Sequence, residues 1–350
     1  MAERRNGRTA ARASGGDRRA VVIQTAHLGD VVLTIPLLDA LAARHGPVDV
    51  VTTPAAAPLL AHLPAVRQVI PFDKQGRDRG PAGLWRLAAR LRGERYRAAW
   101  LPHRSFRSGL LARLAGMAER IGYAGSAGRW WYSRTVPRPP SGHVTARLTA
   151  LADATPAAPP WFPLTAAEQD AAGRWLEERD IEGRFVVLAP GARWGTKRWP
   201  GFPALAAAIE LPIVVVGDAA DVPLAAAVVA AAPGRAVSGA GQLDLRGVAA
   251  VLARSALVVS NDSLALHLAG GLGRPVLALF GPTVPAFGFG PLGPEGQVLE
   301  HPGLPCRPCS PHGPERCPLG HHRCMRELAV SVVAAAVDRV LAGTGGRAGQ

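Results

Sequence analysis

Short apolar runs rich in β-branched residues alternate with longer segments whose apolar residues recur at helical spacing. This alternation restricts the fold more than any other feature of the chain. The run "RRAVVIQT" at residues 18–25 precedes "VVLTIPLLDALAARHG", which stops at Gly46. Runs of the first kind recur as "PVDVVTT", "AVRQVIPF", "YRAAWLPH", "RFVVLAP", "PIVVVGD", "LVVSND" and "RPVLALFG". Strands that alternate with helices predict an α/β fold with parallel, doubly wound sheets.

The alternation is interrupted by the stretch "ADATPAAPPWFPL" at residues 152–164, whose four prolines suit a linker better than a helix or strand. The length of 350 residues also favours two domains of ordinary size. The predicted segments are a disordered basic arm at 1–19, an N-terminal domain at 20–155, a linker at 156–165, a C-terminal domain at 166–324 and a final helix at 325–343.

The chain is strongly basic, with a formal net charge of +14. Six arginines lie in the first 19 residues, against Glu3 and Asp17. A basic balance fits nucleic acid, an anionic lipid surface or an anionic substrate. Because no aromatic-basic nucleic-acid motif occurs, we expect no nucleic-acid partner and favour an anionic substrate or an anionic membrane surface.

Apolar runs in this chain are too short to cross a bilayer, which takes about 18 residues. The longest candidate, "LAAAVVAAAP", is stopped by Pro233. The basic arm lacks the apolar core of a secretory signal. We therefore expect a cytoplasmic protein without a transmembrane segment.

Polar clusters follow three strands of the second half where those strands end. They are "PGARWGTK" from Pro190, "SNDS" from Ser260 and "GPT" from Gly281. Ligands of open parallel sheets bind outside the carboxyl ends of the strands, so these clusters predict a binding cleft. Ordinary turn chemistry is the plainer alternative for any one of them.

Lysine is rare in this chain, which has 40 lysines and arginines together but only two lysines, Lys74 and Lys197. Lys197 lies beside Arg193 and Arg198, so positive charge alone does not explain it. A compact ammonium acts as a point charge, unlike the planar guanidinium fork. Lys74, in the loop "FDKQGRDRG", is expected to be an ordinary surface cation.

Two glycine motifs, at 288–293 and 343–348, match G-x-G-x-x-G/A but lack the strand–turn–helix setting of a dinucleotide site. A nicotinamide oxidoreductase is therefore not expected. None of the fourteen aspartates forms an Asp-x-Asp pair, which often bridges a nucleotide diphosphate through a metal. The negative charge that develops on a departing diphosphate would then be stabilised by helix N-termini, hydroxyl groups and cationic side chains of the protein. The chemistry would need no cofactor.

All the cysteines lie in one segment, "CRPCSPHGPERCPLGHHRC", the Cys-rich loop at 306–324. A C-x2-C pair followed by two more cysteines suggests a structural zinc or iron site in a reducing compartment, although the following spacings of seven and six residues are not those of a standard zinc ribbon. His321 or His322 could replace one thiol, and free or redox-active thiols or disulfides are the alternatives. The predicted metal ligands are Cys306, Cys309, Cys317 and Cys324.

Five stretches, in this order, resemble the ADP-heptose–lipopolysaccharide heptosyltransferases of glycosyltransferase family nine, most of all the heptosyltransferase II type. They are "LGDVVLTIPLLDAL", "RSGLLARLAG…RIGY", "PGARWGTKRWP", "VVSNDSLALHLAGGLGRPVLALFGPT" and "CRPCSPHGPERCPLGHHRCM". The resemblance implies a GT-B fold, in which two Rossmann-like doubly wound domains face each other across a cleft. It places the acceptor in the first domain and the donor in the second.

The resemblance also implies roles for single residues. Asp30 would be the catalytic base, although an N-cap for a helix starting at Val31 explains it equally from sequence alone. Lys197 would contact the donor diphosphate, and Asp262 the donor hydroxyls. His27 and Leu264 stand where the family has a small residue and a glycine. The other expected donor-binding residues are Gly191, Asn261, Ser263, His267, Gly281, Thr283, Gly217 and Asp218.

Three arginines of the first half, Arg104, Arg107 and Arg120, could meet an anionic acceptor, because guanidinium pairs bidentately with carboxylate or phosphate. A solvated surface position is the alternative for each. The activity that the resemblance implies is inverting transfer of heptose from ADP-heptose to the lipopolysaccharide inner core, at the cytoplasmic face of the inner membrane. A relative that glycosylates a protein or another glycan, or an inactive nucleotide-sugar-binding homologue, are the alternatives.

Overall fold

The computed structural model describes residues 19–155, 159–293 and 295–345. The predicted basic arm lies outside these residues apart from Arg19, as do three residues of the predicted linker. Within the described residues, no helix is long and apolar enough to cross a membrane.

The first sheet has six strands in the order β3-β2-β1-β4-β5-β6, and each neighbouring pair is parallel. Its strands are β1 (Ala20–Ile23), β2 (Val48–Thr52), β3 (Val66–Pro71), β4 (Ala98–Leu101), β5 (Glu119–Tyr123) and β6 (Arg134–Val136). Strands β1, β2 and β4 are buried along their whole length, which is why their sequences read as continuous apolar runs.

The second sheet also has six parallel strands, in the order β12-β11-β10-β7-β8-β9. Its strands are β7 (Val186–Ala189), β8 (Ile213–Val215), β9 (Ala236–Ser238), β10 (Leu257–Asn261), β11 (Val276–Phe280) and β12 (Gly296–Glu300). Two parallel doubly wound sheets confirm the predicted α/β architecture.

Helices cover both faces of each sheet. Those of the first half are α1 (Leu28–Leu33), α2 (Ile35–His45), α3 (Ala57–Leu60), α4 (Gly80–Gly93), α5 (Phe106–Leu114) and α6 (Val144–Thr149). Those of the second half are α7 (Ala166–Glu177), α8 (Phe202–Ala208), α9 (Val222–Ala231), α10 (Leu245–Arg254), α11 (Leu264–Gly271), α12 (Arg323–Arg326) and α13 (Val330–Gly345). Short 3-10 turns lie at residues 129–131, 195–197 and 219–221.

The two halves contact each other directly. A Cβ on Gly29, in α1, would lie 3.0 Å from Cδ2 of His267, in α11, so the two helices meet where α1 has no side chain. The guanidinium of Arg147 donates to the Phe287 carbonyl at 3.1 Å, and Phe162 N donates to the Gly271 carbonyl at 3.1 Å. These contacts hold the carboxyl edges of the two sheets towards a common cleft.

The predicted final helix at 325–343 is wrong in one respect, because it is interrupted between α12 and α13. The interruption leaves the Leu328 carbonyl free of the helix, and the Trp199 indole Nε1 donates to it at 3.0 Å. Trp199 is buried and packs edge-on against Phe202, with ring centroids 5.3 Å apart. A residue of the Lys197 segment thus occupies the break.

The end of the proline-rich linker is held by an ion pair between Glu168 and Arg246. Arg246 Nε and Nη2 each donate to a Glu168 carboxylate oxygen at 2.6 Å, and Nη2 also donates to the Pro163 carbonyl at 2.8 Å. Glu168 accepts from Thr165 N at 2.8 Å and so completes the capping box of α7. The Arg246 guanidinium lies 4.6 Å above the Phe162 ring.

We expect Glu168→Gln to lower the free energy of unfolding by about 2–3 kcal/mol at pH 7. The hydrogen bonds from Arg246 lower the pKa of Glu168 to about 2, so the stabilisation is complete above the unfolded pKa and is lost as pH falls through the folded pKa. In urea unfolding, the difference from wild type should therefore shrink by roughly half between pH 7 and pH 3. Glu177→Gln, on the exposed face of the same helix, is the control; an equal loss there would contradict the assignment.

Candidate functional site

Five strand ends supply the cleft between the two sheets. The loop after β1 leads into α1, the loop after β7 carries the 195–197 turn, and β8 leads into the 219–221 turn. The segments after β10 and β11 carry Asp262 and Thr283. The three polar clusters predicted from the sequence of the second half therefore lie at one edge of the same sheet, as parallel strands require.

Asp30 lies inside α1, not before it. The helix begins at Leu28 with His27 as its N-cap, and His27 N donates to Asp30 Oδ2 at 3.3 Å. The expectation that Asp30 caps a helix starting at Val31 is therefore wrong in detail, although its carboxylate does satisfy an end amide. Burial raises the pKa of Asp30, while His27 opposes that rise.

Basic side chains from both halves lie near Asp30. The charges of His312 and Lys197 act on Asp30 and tend to lower its pKa, and the charge of Arg193 acts on His27. The pKa of His27 is itself lowered, chiefly by burial. His312 belongs to the Cys-rich loop, and no pattern in the sequence marked it as a residue of the cleft.

Lys197 forms an ion pair with Asp262 within the second half. Its Nζ lies 2.6 Å from Asp262 Oδ2, and the two side chains are only 13% and 7% exposed. Thr283 Oγ1 donates to the same carboxylate oxygen at 2.7 Å. Three predicted donor-binding residues, from three different strand ends, thus form one hydrogen-bonded cluster, the Lys197 cluster, made of Lys197, Asp262 and Thr283.

Asn261 is fully buried and its amide is used inside the protein. Its Oδ1 accepts from Trp199 N at 3.1 Å, and its Nδ2 donates to the Pro190 carbonyl at 2.8 Å. Asn261 therefore braces the loop that carries Lys197 instead of presenting its side chain to a ligand. Ser263, the N-cap residue of α11, is partly exposed, and its Oγ lies 3.1 Å from Ser260 Oγ.

His267 is buried against the first half, and burial lowers its pKa to about 4. Its imidazole is therefore neutral at pH 7. The ring lies against Gly29 across the domain contact, which accounts for it as a packing residue at the base of the cleft. Its predicted role in donor binding stays a prediction.

The glycines predicted at the donor site are explained by close approaches within the protein. A Cβ on Gly191 would lie 2.1 Å from Asp221 Oδ2, and one on Gly217 would lie 2.6 Å from Asp221 Cβ. A Cβ on Gly281 would lie 2.7 Å from Met325 Cγ. Asp218 is exposed and caps the 219–221 turn through Ala220 N at 2.8 Å.

The Cys-rich loop holds the turn that carries Lys197. Thr196 N donates to the Pro314 carbonyl at 3.4 Å, and His322 Nε2 lies 2.7 Å from the Thr196 carbonyl oxygen. Gly195 N donates to Glu315 Oε2 at 3.3 Å. A Cβ on Gly313 would lie 3.5 Å from Lys197 Cε, so the loop passes directly beside the lysine side chain.

The same loop also holds the turn that carries Thr283. Arg307 Nη2 donates to the Thr283 carbonyl at 3.1 Å and pairs with Glu300 at 2.7 Å. Cys309 N donates to the Pro282 carbonyl at 2.9 Å. Both strand-end segments that contact Asp262 are therefore braced by one loop, a role that the sequence did not predict.

The four cysteines are free thiols, with Cys324 buried and the other three partly buried. Burial raises the pKa of Cys324 to about 11; burial and the neighbouring Cys306 and Cys317 raise that of Cys309. Among the described residues, no three His, Cys, Asp or Glu side chains are arranged as ligands of one metal ion. The thiols are thus close enough to affect one another electrostatically, but in this arrangement they are not positioned as ligands of one metal ion.

The three arginines expected at the acceptor side are placed differently from one another. Arg120 turns inward, where its Nε donates to the Trp131 carbonyl at 2.6 Å, so it supports the 129–131 turn. Arg104 is exposed and its Nη2 donates to the Gly125 carbonyl at 2.8 Å. Arg107 is half-buried, and its charge acts on Lys74.

The expectation that Lys74 is an ordinary surface cation is wrong. Lys74 is half-buried, and its Nζ donates to the Thr25 carbonyl at 2.5 Å, in the loop between β1 and α1. Thr25 Oγ1 also lies 3.5 Å from Nδ1 of His103, and burial lowers the pKa of His103 to about 4. Lys74 and His103 thus support the loop that leads to Asp30, and neither was identified from the sequence.

The chain is similar to known proteins over most of its length. Residues 84–316 match the model of glycosyltransferase family 9 (heptosyltransferase). The lipopolysaccharide heptosyltransferase 2 of Salmonella typhimurium is 27% identical over 305 residues, which cover 80% of this chain and 87% of that protein. The lipopolysaccharide heptosyltransferase 1 of Pseudomonas aeruginosa is 30% identical over 318 residues, which cover 83% and 86%.

Among solved structures, the ADP-heptose lipopolysaccharide heptosyltransferase II of E. coli is similar, with a TM-score of 0.75 at 23% identity. The similarity covers 93% of this chain and 99% of that one, so both sheets and the cleft between them are included. The two facing α/β domains are those of a GT-B fold. Because the family match extends over more than half of its length, the chain belongs to glycosyltransferase family 9, the heptosyltransferases.

Proposed function

We propose that the chain is an inverting glycosyltransferase that transfers heptose from ADP-heptose to a sugar of the lipopolysaccharide inner core. The observation that carries the proposal is the Lys197 cluster in the second half, at the start of α11, because α11 contacts α1, the helix of Asp30, through His267 and Gly29. The names of the relatives, lipopolysaccharide heptosyltransferases 1 and 2, support the donor sugar and the class of acceptor.

Asp30 is proposed as the base. An acceptor hydroxyl would lose its proton to the Asp30 carboxylate as its oxygen forms a bond to the anomeric carbon. The bond from that carbon to the diphosphate oxygen breaks on the opposite side, and ADP departs with the electron pair. Burial, which raises the pKa of this carboxyl, favours proton acceptance, because a stronger base is a better acceptor.

Lys197 is proposed to meet the charge that develops on departing ADP. In the structure its ammonium is neutralised by Asp262, whose carboxylate would repel a phosphate. Donor binding would therefore require the ammonium to be shared between the carboxylate and the diphosphate. Asp262 and Thr283 would then orient the lysine and meet donor hydroxyls instead of phosphate.

The proposed acceptor is attached to lipid, so the enzyme would work at the cytoplasmic face of the inner membrane. The net charge of +14 favours approach to an anionic surface. The rival proposals are transfer to a protein or another glycan, and an inactive nucleotide-sugar-binding homologue. Turnover of ADP-heptose, but not of ADP-glucose or UDP-sugars, with an inner-core acceptor supports the proposal. Turnover only with a protein or another glycan supports the first rival, and binding of ADP-heptose without turnover on any of these acceptors supports the second.

We expect Asp30→Asn to bind ADP nearly as wild type but to turn over at least ~100-fold more slowly, because the amide keeps the local hydrogen bonding and cannot accept the proton. In the wild type, kcat/KM should fall as pH is lowered through the raised pKa of Asp30, since only the carboxylate is a base. This acid limb should be missing from the residual activity of the variant. Turnover within a few-fold of wild type would exclude Asp30 as the base.

We expect Lys197→Ala to lower kcat by about 10²–10³-fold, because an interaction that strengthens as ADP departs acts on the rate. Lys197→Arg keeps the charge but should still lose about tenfold or more, since a planar fork does not fit where a compact ammonium fits between Asp262 and the donor. Steady-state kinetics with ADP-heptose, and ADP affinity by calorimetry, are the measurements.

The control for Lys197 is Arg90→Lys, a cation exchange on the exposed face of α4, which should be silent. Lys74 cannot serve as the control, because it supports the loop between β1 and α1 through the Thr25 carbonyl. Unfolding temperatures of both Lys197 variants exclude misfolding as the cause of a loss. If Lys197→Arg is as active as wild type, the lysine makes no contact with the diphosphate.

We propose no cofactor for the chemistry and a structural zinc or iron ion at Cys306, Cys309, Cys317 and Cys324. The support is their mutual proximity and the C-x2-C spacing; holding a metal would require the thiols to rearrange together. Protein purified without a metal-affinity column should contain about one zinc or iron atom per chain by elemental analysis. Less than a tenth of an atom, with four titratable thiols, would refute the site.

Activity should persist in EDTA without added magnesium.

A further inference from the structure

Two large aromatic side chains project into solvent beside the acceptor half of the cleft. Trp130 is 75% exposed and Phe106 is 49% exposed, whereas tryptophan is usually well buried. With three arginines they form a surface that we call the aromatic–basic face: Arg104, Phe106, Arg107, Arg129 and Trp130. We propose that this face docks the enzyme on an anionic phospholipid bilayer.

The sheet topology places this face at the cleft. Phe106 begins α5 just after β4, and Trp130 lies in the turn after β5. Strand β4 pairs with β1, and β5 pairs with β4, all in parallel, so these loops share the carboxyl edge with the loop that leads to Asp30. A bilayer in contact with the face would therefore lie next to the proposed entry of the acceptor.

The face is built into the fold. Trp131 packs edge-on against Phe106, with ring centroids 5.6 Å apart. A Cβ on Gly109, in α5, would lie 3.2 Å from Cδ1 of Trp131, so the helix meets the turn where it lacks a side chain. Arg104 donates to the Gly125 carbonyl at 2.8 Å and ties the two loops together. The residues around Trp130 are held in place by these contacts. The exposed face of the Trp130 ring is available to contact a bilayer.

The charge of the face complements an anionic surface. Residues 101–150 contain eight arginines and a single acidic residue, Glu119. Glu119 opens β5 at the opposite edge of the sheet and pairs there with Arg97 at 3.2 Å. Within the part of the chain that the structure describes, none of the three arginines of the face takes part in a salt bridge.

Aromatic and cationic groups are also paired in the way that lipid headgroups favour. The Arg129 guanidinium lies 4.6 Å from the centre of the Trp130 ring. Amphipathic indole rings partition to the headgroup level of a bilayer, and guanidinium groups beside them bind lipid phosphates.

The test is co-sedimentation of the full chain with vesicles of phosphatidylethanolamine and phosphatidylglycerol, against phosphatidylcholine vesicles. Wild type should bind the anionic vesicles, with affinity that falls as salt is raised, and should bind the neutral vesicles at least ~10-fold more weakly. Trp130→Ala combined with Phe106→Ala should lower the affinity for anionic vesicles about tenfold or more. Arg104→Gln combined with Arg129→Gln should lower it by roughly 10–30-fold.

Trp161→Ala is the matched control, because Trp161 is 57% exposed but lies in the linker. It should bind vesicles as wild type does. Unchanged vesicle binding by the Trp130/Phe106 double variant would overturn the proposal. So would a dimer in ultracentrifugation that the same variant dissociates, because the face would then bind a second copy.

The inference rests on the proposed function only for the lipid attachment of the acceptor. Vesicle binding needs neither donor nor turnover, so its failure is distinct from failure of the heptosyltransferase assay. In that assay, the Trp130/Phe106 double variant should keep ADP affinity and turnover with a soluble acceptor fragment. It should lose rate, about tenfold or more, only on acceptor presented in anionic vesicles.

Discussion

The second half of the cleft is organised around one buried ion pair between Lys197 and Asp262. A charge taken out of water is costly unless a partner and hydrogen bonds compensate for it, and here the carboxylate accepts from both Lys197 and Thr283. Lys197, Asp262 and Thr283 follow three different strands. Their two hydrogen bonds therefore also hold the ends of those three strands at fixed distances from one another. The ammonium is therefore already desolvated and oriented, which is the condition under which a cation stabilises developing negative charge most effectively.

Neutral braces surround this pair and keep it in place. Asn261 holds the loop before Lys197 through two backbone contacts, and the Cys-rich loop holds the turns on both sides through Thr196 and Pro282. A side-chain amide such as that of Asn261, or a glycine that allows two segments to approach, can therefore support the site without contacting a ligand. These braces also place His312, on the Cys-rich loop, near the proposed base of the other domain.

The sequence was sufficient to predict the two parallel sheets, their buried central strands and the polar strand ends of the second half. Continuous apolar runs identify central strands because both faces are covered, but the edge strands β6 and β12 are partly exposed, lack such a run and were not predicted. The start of α1 was misplaced because an acid at the third helical position resembles an N-cap from sequence alone.

The sequence predicted where the residues of the site lie, but it did not predict which of them contact one another. Lys197, Asp262 and Thr283 were each expected near the donor, yet their pairing across 65 and 21 residues depends on the register of three strands. Arg120 and Lys74 were misjudged for a related reason, since a long cation on a loop can reach a backbone carbonyl as readily as solvent.

The indole that fills the break between α12 and α13 has a consequence for how the protein is made. Trp199 stands two residues after Lys197, and its hydrogen-bond acceptor, Leu328, lies near the end of the chain. Met325, from the same region, packs against Gly281 beside the Thr283 turn. A chain emerging from the ribosome presents its first domain early, but the loop that carries Lys197 lacks its final support until α12 and the start of α13 have been synthesised. The first half can therefore be complete while the second half is still unfinished, so an incompletely translated chain would have Asp30, the proposed base, and lack the cluster proposed to bind the donor.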